Sequence, residues 1–163
     1  MPHIDLNCDL GESFGAYTIG MDEKVIPFIT SANVACGFHA GDPLVMQRTV
    51  APCTQSGAAV GAHPGFPDLQ GFGRRQMKLT PAEAKACVQY QIGALKAFCD
   101  AAGVPLHHVK PHGALYNMAG KDRALADAIC AAVKESAPGA VLLALSGSEM
   151  VKAAQAIGLP VAN

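Results

Sequence analysis

The sequence has few charges and no long apolar run, and these two absences narrow the classes of function. Charged residues make up 15% of the 163 residues and the formal net charge is −1, so the chain lacks the basic surface that nucleic acids and anionic membranes attract. No segment has the uninterrupted apolar length of a membrane span, and no basic stretch precedes an apolar one at the N-terminus. We therefore expect a cytoplasmic protein that binds a small molecule or another protein, not a nucleic acid or a membrane.

Three common chemical motifs are also missing. The six cysteines include no C-x-x-C pair and no zinc-ribbon spacing, so we expect buried free thiols. The helical H-E-x-x-H zinc pattern and the G-x-x-x-x-G-K-[ST] phosphate loop are absent. A nucleotide bound by this chain would therefore not lie on a Walker scaffold.

Apolar runs of strand length alternate along the chain with segments of helical period. Such alternation predicts βαβ units and a parallel sheet. The predicted strands are 3–7, 31–36, 58–63, 107–110, 140–146 and 159–163, and the predicted helices are 21–29, 43–55, 81–102, 123–136 and 149–157. Capping boxes are predicted at Thr80 with Glu83 and at Ser146 with Glu149, and aspartate caps at Asp42 and Asp122.

This pattern gives five βα units and a sixth strand, which we expect to form one domain over residues 1–163. A closed (β/α)8 barrel usually needs about 250 residues. Two architectures therefore stay open, an open doubly wound sheet and the N-terminal part of a barrel.

Polar residues are concentrated in four loops after the first four predicted strands. Function in parallel α/β folds collects where strands end and helices begin. The loops read DLNCDLGES, GFHAGD, GAHPGFPDLQGFGRR and VKPHGALYN, and the strand before the second loop adds Asn33. The candidate catalytic residues are Asp9, Glu12, His39, His63, Lys110 and His112, and the candidate substrate-binding residues are Asn7, Asn33, Asp42, Arg74, Tyr116 and Asn117.

Each of these residues also has a purely structural interpretation. A single histidine after a strand can be a hydrogen-bonded core residue, Asp42 is first a helix cap, and Tyr116 can be packing. Histidines with unrelated structural roles, however, need not all follow successive strands at the same end of the sheet. Their common position therefore favours a shared site. Three histidines and a carboxylate can hold a divalent metal that activates water. They can equally act as general acids and bases while Lys110 stabilises an oxyanion.

Four blocks, DLNCDLGESFG, SANVACGFHAGDP, GAHPGFPDLQGFGRR and VKPHGALYN, closely resemble the signature blocks of the LamB/YcsF family. The resemblance runs in order from about residue 4 to the end of the chain. It implies the A subunit of a bacterial ATP-dependent 5-oxoprolinase, which works with subunits B and C to open 5-oxoproline to glutamate. It also implies a fold similar to the glycoside hydrolase and deacetylase (β/α) barrels.

The family continues with further strands and a histidine-containing block that this sequence does not contain. We therefore expect this chain to be the N-terminal part of a longer barrel, or to be completed by another chain. Under the family chemistry, Asp9 or Glu12 would orient or deprotonate water, and His39, His63 and His112 would move protons or bind metal. Lys110 and Arg74 would neutralise phosphate or oxyanion charge. Two rival functions remain, a metal-dependent deacetylase or amide hydrolase acting alone and a non-catalytic substrate-binding subunit.

Overall fold

Six strands form one parallel sheet in the computed structural model, which describes residues 4–163. Each strand pairs in parallel with its neighbour in sequence, in the order β1-β2-β3-β4-β5-β6. The strands are β1 (Asn7–Leu10), β2 (Ser31–Ala35), β3 (Ala59–His63), β4 (His108–Val109), β5 (Val141–Leu143) and β6 (Val161–Ala162).

This sequential order separates the two architectures that the sequence left open. In a doubly wound sheet the strand order reverses at a switch point, whereas here it never reverses. A (β/α) barrel has this sequential order. Over residues 4–163 the sheet is not closed, since β1 and β6 are its two edges. The prediction of a barrel-like parallel α/β fold is confirmed.

Helices connect the strands and mostly begin where the capping signals predict. They are α1 (Asp22–Val25), a 3-10 turn (Ile26–Phe28), α2 (Pro43–Ser56), α3 (Pro81–Ala101), α4 (Gly113–Ala119), α5 (Arg123–Ser136) and α6 (Glu149–Ile157). The Asp42 carboxylate accepts from the Val45 amide at 2.9 Å. Thr80 and Glu83 form both bonds of a capping box.

The core lies between the sheet and the helices, with α3 packed against α5 and α5 against α6. Val88, Ile92 and Leu95 of α3 are fully buried at helical spacing. All six cysteines are free thiols, and four of them are buried. Within the described part of the chain, no helix combines the length and the apolar character of a membrane span.

The first strand was predicted too early, over residues 3–7, of which residue 3 lies outside the described range. β1 begins at Asn7, which pairs with Ser31 of β2. Polar and apolar residues alternate from Ile4 to Leu10, so the pattern alone does not fix which part of this segment pairs. Asn7 and Asp9 therefore lie within a strand, on the same face, and not in the loop after it.

Two further local predictions were wrong. The segment predicted as the loop VKPHGALYN contains α4, so Tyr116 and Asn117 lie on a helix. The predicted capping box of Ser146 with Glu149 does not form, because Ser148 takes the N-cap position of α6.

Candidate active site

The residues predicted as catalytic meet at the carboxyl ends of β1 to β4. Because parallel strands end at the same edge of the sheet, loops that are distant in sequence become neighbours there. His63 ends β3, His39 lies between β2 and α2, and His112 is the N-cap residue of α4. Contacts of 4 Å or less join the whole set, Asp9, Glu12, His39, His63, Lys110 and His112.

The three histidine rings are in van der Waals contact with one another. The rings of His39 and His112 are stacked, with centroids 3.7 Å apart and planes within 1° of parallel. The His63 ring stands at 89° to both. All three side chains are almost completely buried. Five of their six ring nitrogens have a polar neighbour within the site, whereas the buried His39 Nδ1 has no hydrogen-bond partner among the described residues.

Backbone carbonyls fix the orientation of two of these rings. His63 Nδ1 lies 2.6 Å from the Lys110 carbonyl oxygen, and His112 Nε2 lies 2.7 Å from the Phe72 carbonyl oxygen. A carbonyl oxygen can only accept, so each of these nitrogens carries a proton. The remaining nitrogens, His63 Nε2 and His112 Nδ1, face each other at 3.0 Å.

Two carboxylates and one ammonium group surround the rings. Asp9 Oδ1 accepts from Lys110 Nζ at 2.9 Å and from Asn33 Nδ2 at 2.7 Å. Asp9 Oδ2 lies 3.4 Å from His63 Nε2. Glu12 Oε1 lies 3.3 Å from His39 Nε2 and 3.9 Å from His112 Nδ1. The carboxylates thus reach the rings from the open side of the site.

The environment shifts the pKa values of several of these groups. Burial by itself raises the pKa of Asp9, but hydrogen bonds and charge from His63, Lys110 and Asn33 outweigh it and hold that pKa well below its ordinary value. Burial lowers the pKa of His112 to about 4, and neighbouring His39 and His63 act in the same direction. Burial is also the main cause that lowers the pKa of His39. At neutral pH, Asp9 is therefore ionised while the imidazoles of His39 and His112 are neutral.

A buried amide supports the site from within the sheet. Asn33 of β2 is completely buried, and its Nδ2 donates to Asp9 Oδ1 and to Asn7 Oδ1, the latter at 2.5 Å. Its Oδ1 accepts from His108 Nε2 at 2.7 Å. Sequence reasoning did not single out His108, because a histidine inside a strand gives no local signal of a partner 75 residues away.

Phe72 and Gly73 close the site over the histidines. Phe72 has a positive φ of 53° and supplies the carbonyl that orients His112. A β-carbon at Gly73 (φ +63°) would lie 2.7 Å from His39 Cβ and 2.8 Å from His112 Cδ2. Only glycine therefore allows this segment to pack against both rings. In the sequence, the glycines at 65, 71 and 73 beside Phe66 and Phe72 were the available signal that this segment packs closely over the site.

The other predicted binding residues lie outside this cluster. Both carboxylate oxygens of Asp42 accept from backbone amides, those of Val45 and Gly15. Arg74 is exposed, with its guanidinium 5.6 Å from the centre of the Phe72 ring. Tyr116 packs partly against the core, and Asn117 is exposed. Of the predicted binding set, Asn33 contacts the cluster directly through Asp9, and Asn7 is joined to it through Asn33.

The arrangement offers both a metal-binding group and a hollow for a ligand. Glu12, His39, His63 and His112 each have one possible ligand atom, and these atoms lie within 4.8 Å of one another. Beside them opens a hollow of about 370 Å³, and Glu12 and His39 form part of its wall. Its other walls are mainly apolar and include Phe14, Ile19 and Phe72.

Comparison with known proteins identifies close relatives over the whole chain. The sequence model of the LamB/YcsF family matches residues 4–163. A protein of Clostridium beijerinckii, named as the A subunit of 5-oxoprolinase, is 67% identical over all 163 residues. A protein of the same name from Bacillus subtilis is 60% identical over the same length.

A solved structure, described as the lactam utilization protein from Thermus thermophilus, superposes with a TM-score of 0.95. It is 54% identical, and the match covers 97% of this chain and 64% of that one. The chain also spans 64% of the Clostridium relative and 63% of the Bacillus relative.

Proposed function

The chain belongs to the LamB/YcsF family, and on that premise we propose that it acts as part of the A subunit of an ATP-dependent 5-oxoprolinase. The reaction opens the lactam ring of 5-oxo-L-proline to give L-glutamate. The observation that best supports this function is the convergence of Asp9, Glu12, Lys110 and three imidazoles at one edge of the sheet, beside an open hollow.

The chemistry of the lactam explains why such a site would need help from ATP. An amide is stabilised by resonance, so water adds to it slowly. Transfer of a phosphoryl group from ATP to the amide oxygen activates the carbonyl carbon, and water can then add to it. The ring C–N bond breaks as its nitrogen takes up a proton, which leaves an acyl phosphate, and a second water hydrolyses that acyl phosphate to glutamate and phosphate. The sequence has no Walker loop, so we propose that the nucleotide is bound on another scaffold or together with partner subunits B and C.

The side chains suit distinct steps of this reaction. We assign orientation or deprotonation of the attacking water to Asp9 or Glu12, and proton movement to His39, His63 and His112. Lys110, already 2.9 Å from Asp9, and Arg74 at the rim would neutralise developing phosphate or oxyanion charge. Asn7, Asn33, Asp42, Tyr116 and Asn117 remain predicted substrate-binding residues.

The test follows glutamate and phosphate together, with 5-oxoproline and ATP, for this chain in complex with subunits B and C. Alanine at His39, His63 or Lys110 should each lower turnover at least about tenfold. Lys96→Ala is the matched control, because Lys96 is a lysine that pairs with Asp100 on the exposed face of α3. Wild-type rates in all three site variants would refute the assignment of roles.

The cluster of histidines also favours a second candidate, a metal-dependent amide hydrolase that acts alone. It predicts activity without ATP and without partner subunits, for example on N-acetyl sugars, and loss of that activity on chelation. A purely substrate-binding subunit would instead bind 5-oxoproline while every site variant left the turnover of the complex unchanged.

The six-stranded unit itself fits a larger architecture. We propose that residues 1–163 form a single (β/α) domain that corresponds to the N-terminal part of a longer cytoplasmic barrel. The sequential strand order and the open edges at β1 and β6 support this proposal. In such a barrel further strands would pair with these two edges.

A further inference from the structure

We propose that Asp9, Glu12, His63 and His112 bind a divalent first-row transition metal ion, and that His39 positions Glu12 without being a ligand. The proposal concerns the site on which the proposed function rests. It rests on the directions of the lone pairs of the imidazole rings. Its test measures metal binding and not turnover, so a failure of this proposal can be told apart from a failure of the proposed function.

His63 and His112 face each other through one ring nitrogen each. A neutral imidazole carries one N–H, and in both rings that proton is held by a backbone carbonyl, of Lys110 for His63 and of Phe72 for His112. The two other nitrogens therefore both present lone pairs, only 3.0 Å apart. Two lone pairs at this distance repel unless a cation lies between them or beside them.

The spacing of the ligand atoms suits such a cation. Metal–nitrogen bonds of about 2.0–2.1 Å put neighbouring ligand nitrogens about 2.8–3.4 Å apart at octahedral or tetrahedral angles. The pair of His63 Nε2 and His112 Nδ1 falls within this interval at 3.0 Å. The His63 ring stands at 89° to the His112 ring, so the two in-plane lone pairs can converge on one point.

Two carboxylate oxygens complete the group. Asp9 Oδ2 is 3.4 Å from His63 Nε2, at the upper end of this interval. Glu12 Oε1 is 3.9 Å from His112 Nδ1, beyond the interval, so Glu12 has to move toward the metal ion to bind it beside His112. Asp9 uses its other oxygen, Oδ1, to accept from Lys110 and Asn33, which leaves Oδ2 directed at the histidines. Lys110 bonds to one of these two carboxylates, so carboxylates outnumber the ammonium group at this point of the site, and this attracts a cation.

Because their rings are stacked, His39 and His112 cannot both bind one metal ion through their in-plane lone pairs. The lone pair of an imidazole nitrogen lies in the plane of its ring. The planes of His39 and His112 are parallel within 1° and the rings are stacked with centroids 3.7 Å apart, so no point lies in both planes. His39 instead contacts Glu12 Oε1 through Nε2 at 3.3 Å. We infer that it orients this carboxylate toward the metal.

The donor set and its supports fit a first-row transition metal. Two imidazoles and carboxylate oxygens suit Zn²⁺, Fe²⁺, Co²⁺ or Mn²⁺ more than a hard cation such as Ca²⁺. Histidine ligands commonly donate their second N–H to a carbonyl or carboxylate, which fixes the ring. Both His63 and His112 do so here.

The competing explanation is a proton shared between the two nitrogens, which would make the pair an imidazolium–imidazole couple. Such a couple also relieves the repulsion, and the two carboxylates would stabilise its charge. It differs from the metal site in a measurable way, because a shared proton leaves no stoichiometric affinity for a metal ion.

The experiment is a metal titration of the purified chain in the absence of substrate. The chain is stripped with a chelator, dialysed at pH 8 and titrated with Co²⁺, followed by visible absorption, and with Zn²⁺, followed by calorimetry. We expect one equivalent to bind. His63→Ala and His112→Ala should each weaken binding by about 100-fold or more, and Asp9→Asn, which keeps its shape, by about 10-fold or more.

Two variants serve as controls. His39→Phe keeps the stacked ring but removes its nitrogens, and should keep one equivalent with a loss below about 10-fold. His107→Ala removes an exposed histidine that contacts His108 and not a proposed ligand, and should leave one equivalent bound. The absence of stoichiometric binding in the folded chain would overturn the proposal in favour of the shared proton. A loss in His39→Phe as large as in His63→Ala would overturn the ligand assignment. Circular dichroism checks that each variant is folded. If the alanine variants do not fold, the metal affinity of Asp9→Asn decides the outcome.

Discussion

Replacing Gln91 by leucine should destabilise the protein far more than a surface substitution on the same helix. Gln91 of α3 is completely buried. Its Oε1 accepts from the Gly65 amide and its Nε2 donates to the Gly65 carbonyl, both at 2.9 Å. One side chain thus satisfies both backbone groups of a buried residue in the loop after β3.

The size of the effect follows from these two bonds. Leucine is similar in volume but has no polar atoms, so the amide and the carbonyl of Gly65 lose these partners. A buried polar group without a partner costs about 1–3 kcal/mol, which gives a total loss of about 2–6 kcal/mol for Gln91→Leu. Domains of this kind have about 5–15 kcal/mol of total stability, so the variant should be clearly weakened.

Urea denaturation measures this loss as a shift of the midpoint at constant slope. The matched control is Gln89→Leu, because Gln89 on the same helix donates to Glu135 at the surface. The control should change the free energy of unfolding by no more than about 0.5 kcal/mol. If Gln91→Leu lost less than about 1 kcal/mol, or no more than the control, the two-bond reasoning would be refuted.

The remaining predictions concern His108 and two glycines. Burial first, and nearby His107 second, lower the pKa of His108 from 6.5 to about 4. The unfolded chain therefore binds this proton at higher pH than the folded chain, and stability should fall by at most about 3 kcal/mol as the pH drops from about 6.5 to about 4. Urea midpoints across that range should show a smaller slope in His108→Gln, and an identical slope would contradict this origin. A β-carbon at Gly61 would overlap the His108 ring, so Gly61→Ala should lower the thermal midpoint, with a cost of about 1–3 kcal/mol or more. Gly93 is exposed on α3, and nothing lies within 4 Å of a β-carbon built there. Gly93→Ala should therefore stabilise the protein by about 0.5–1 kcal/mol and raise its thermal midpoint. Equal shifts of the midpoint in the two variants would show that the Gly61 contact has no effect.

Much of the fold could be predicted because its signals are local. Apolar runs of strand length identified β2 and β3 nearly to the residue, and the aspartate cap of α2 lies where Asp42 predicts it. The first strand was displaced because its alternation extends beyond the residues that pair with β2. Helix α4 was missed because its seven residues are too few to show a clear helical period.

The candidate site could be predicted in composition but not in geometry. Parallel strands bring their carboxyl ends together whatever the loop sequences are, so the grouping of His39, His63 and His112 followed from the order of the elements. Which ring nitrogen faces which neighbour depends on contacts such as that of His112 with the Phe72 carbonyl. No pattern in the sequence records a contact across 40 residues. The roles of the site residues remain predictions until the variants are assayed.

The hydrogen bonds of Asn33 determine the protonation of a chain of groups that reaches the site. Its Nδ2 donates to Asp9 Oδ1 at 2.7 Å, so its Oδ1 is an acceptor. His108 Nε2, 2.7 Å from that oxygen, must then carry a proton. The neutral His108 ring accepts at Nδ1, which lies 3.1 Å from His107 Nδ1, so His107 is the donor of that pair. An amide in the middle of β2 thus holds both the carboxylate at the mouth of the site and the histidine beneath it. Asn33→Asp would place a second carboxylate against Asp9 and would remove the donor that leaves Asp9 Oδ2 free, so the orientation of Asp9 depends on this amide as much as on Lys110.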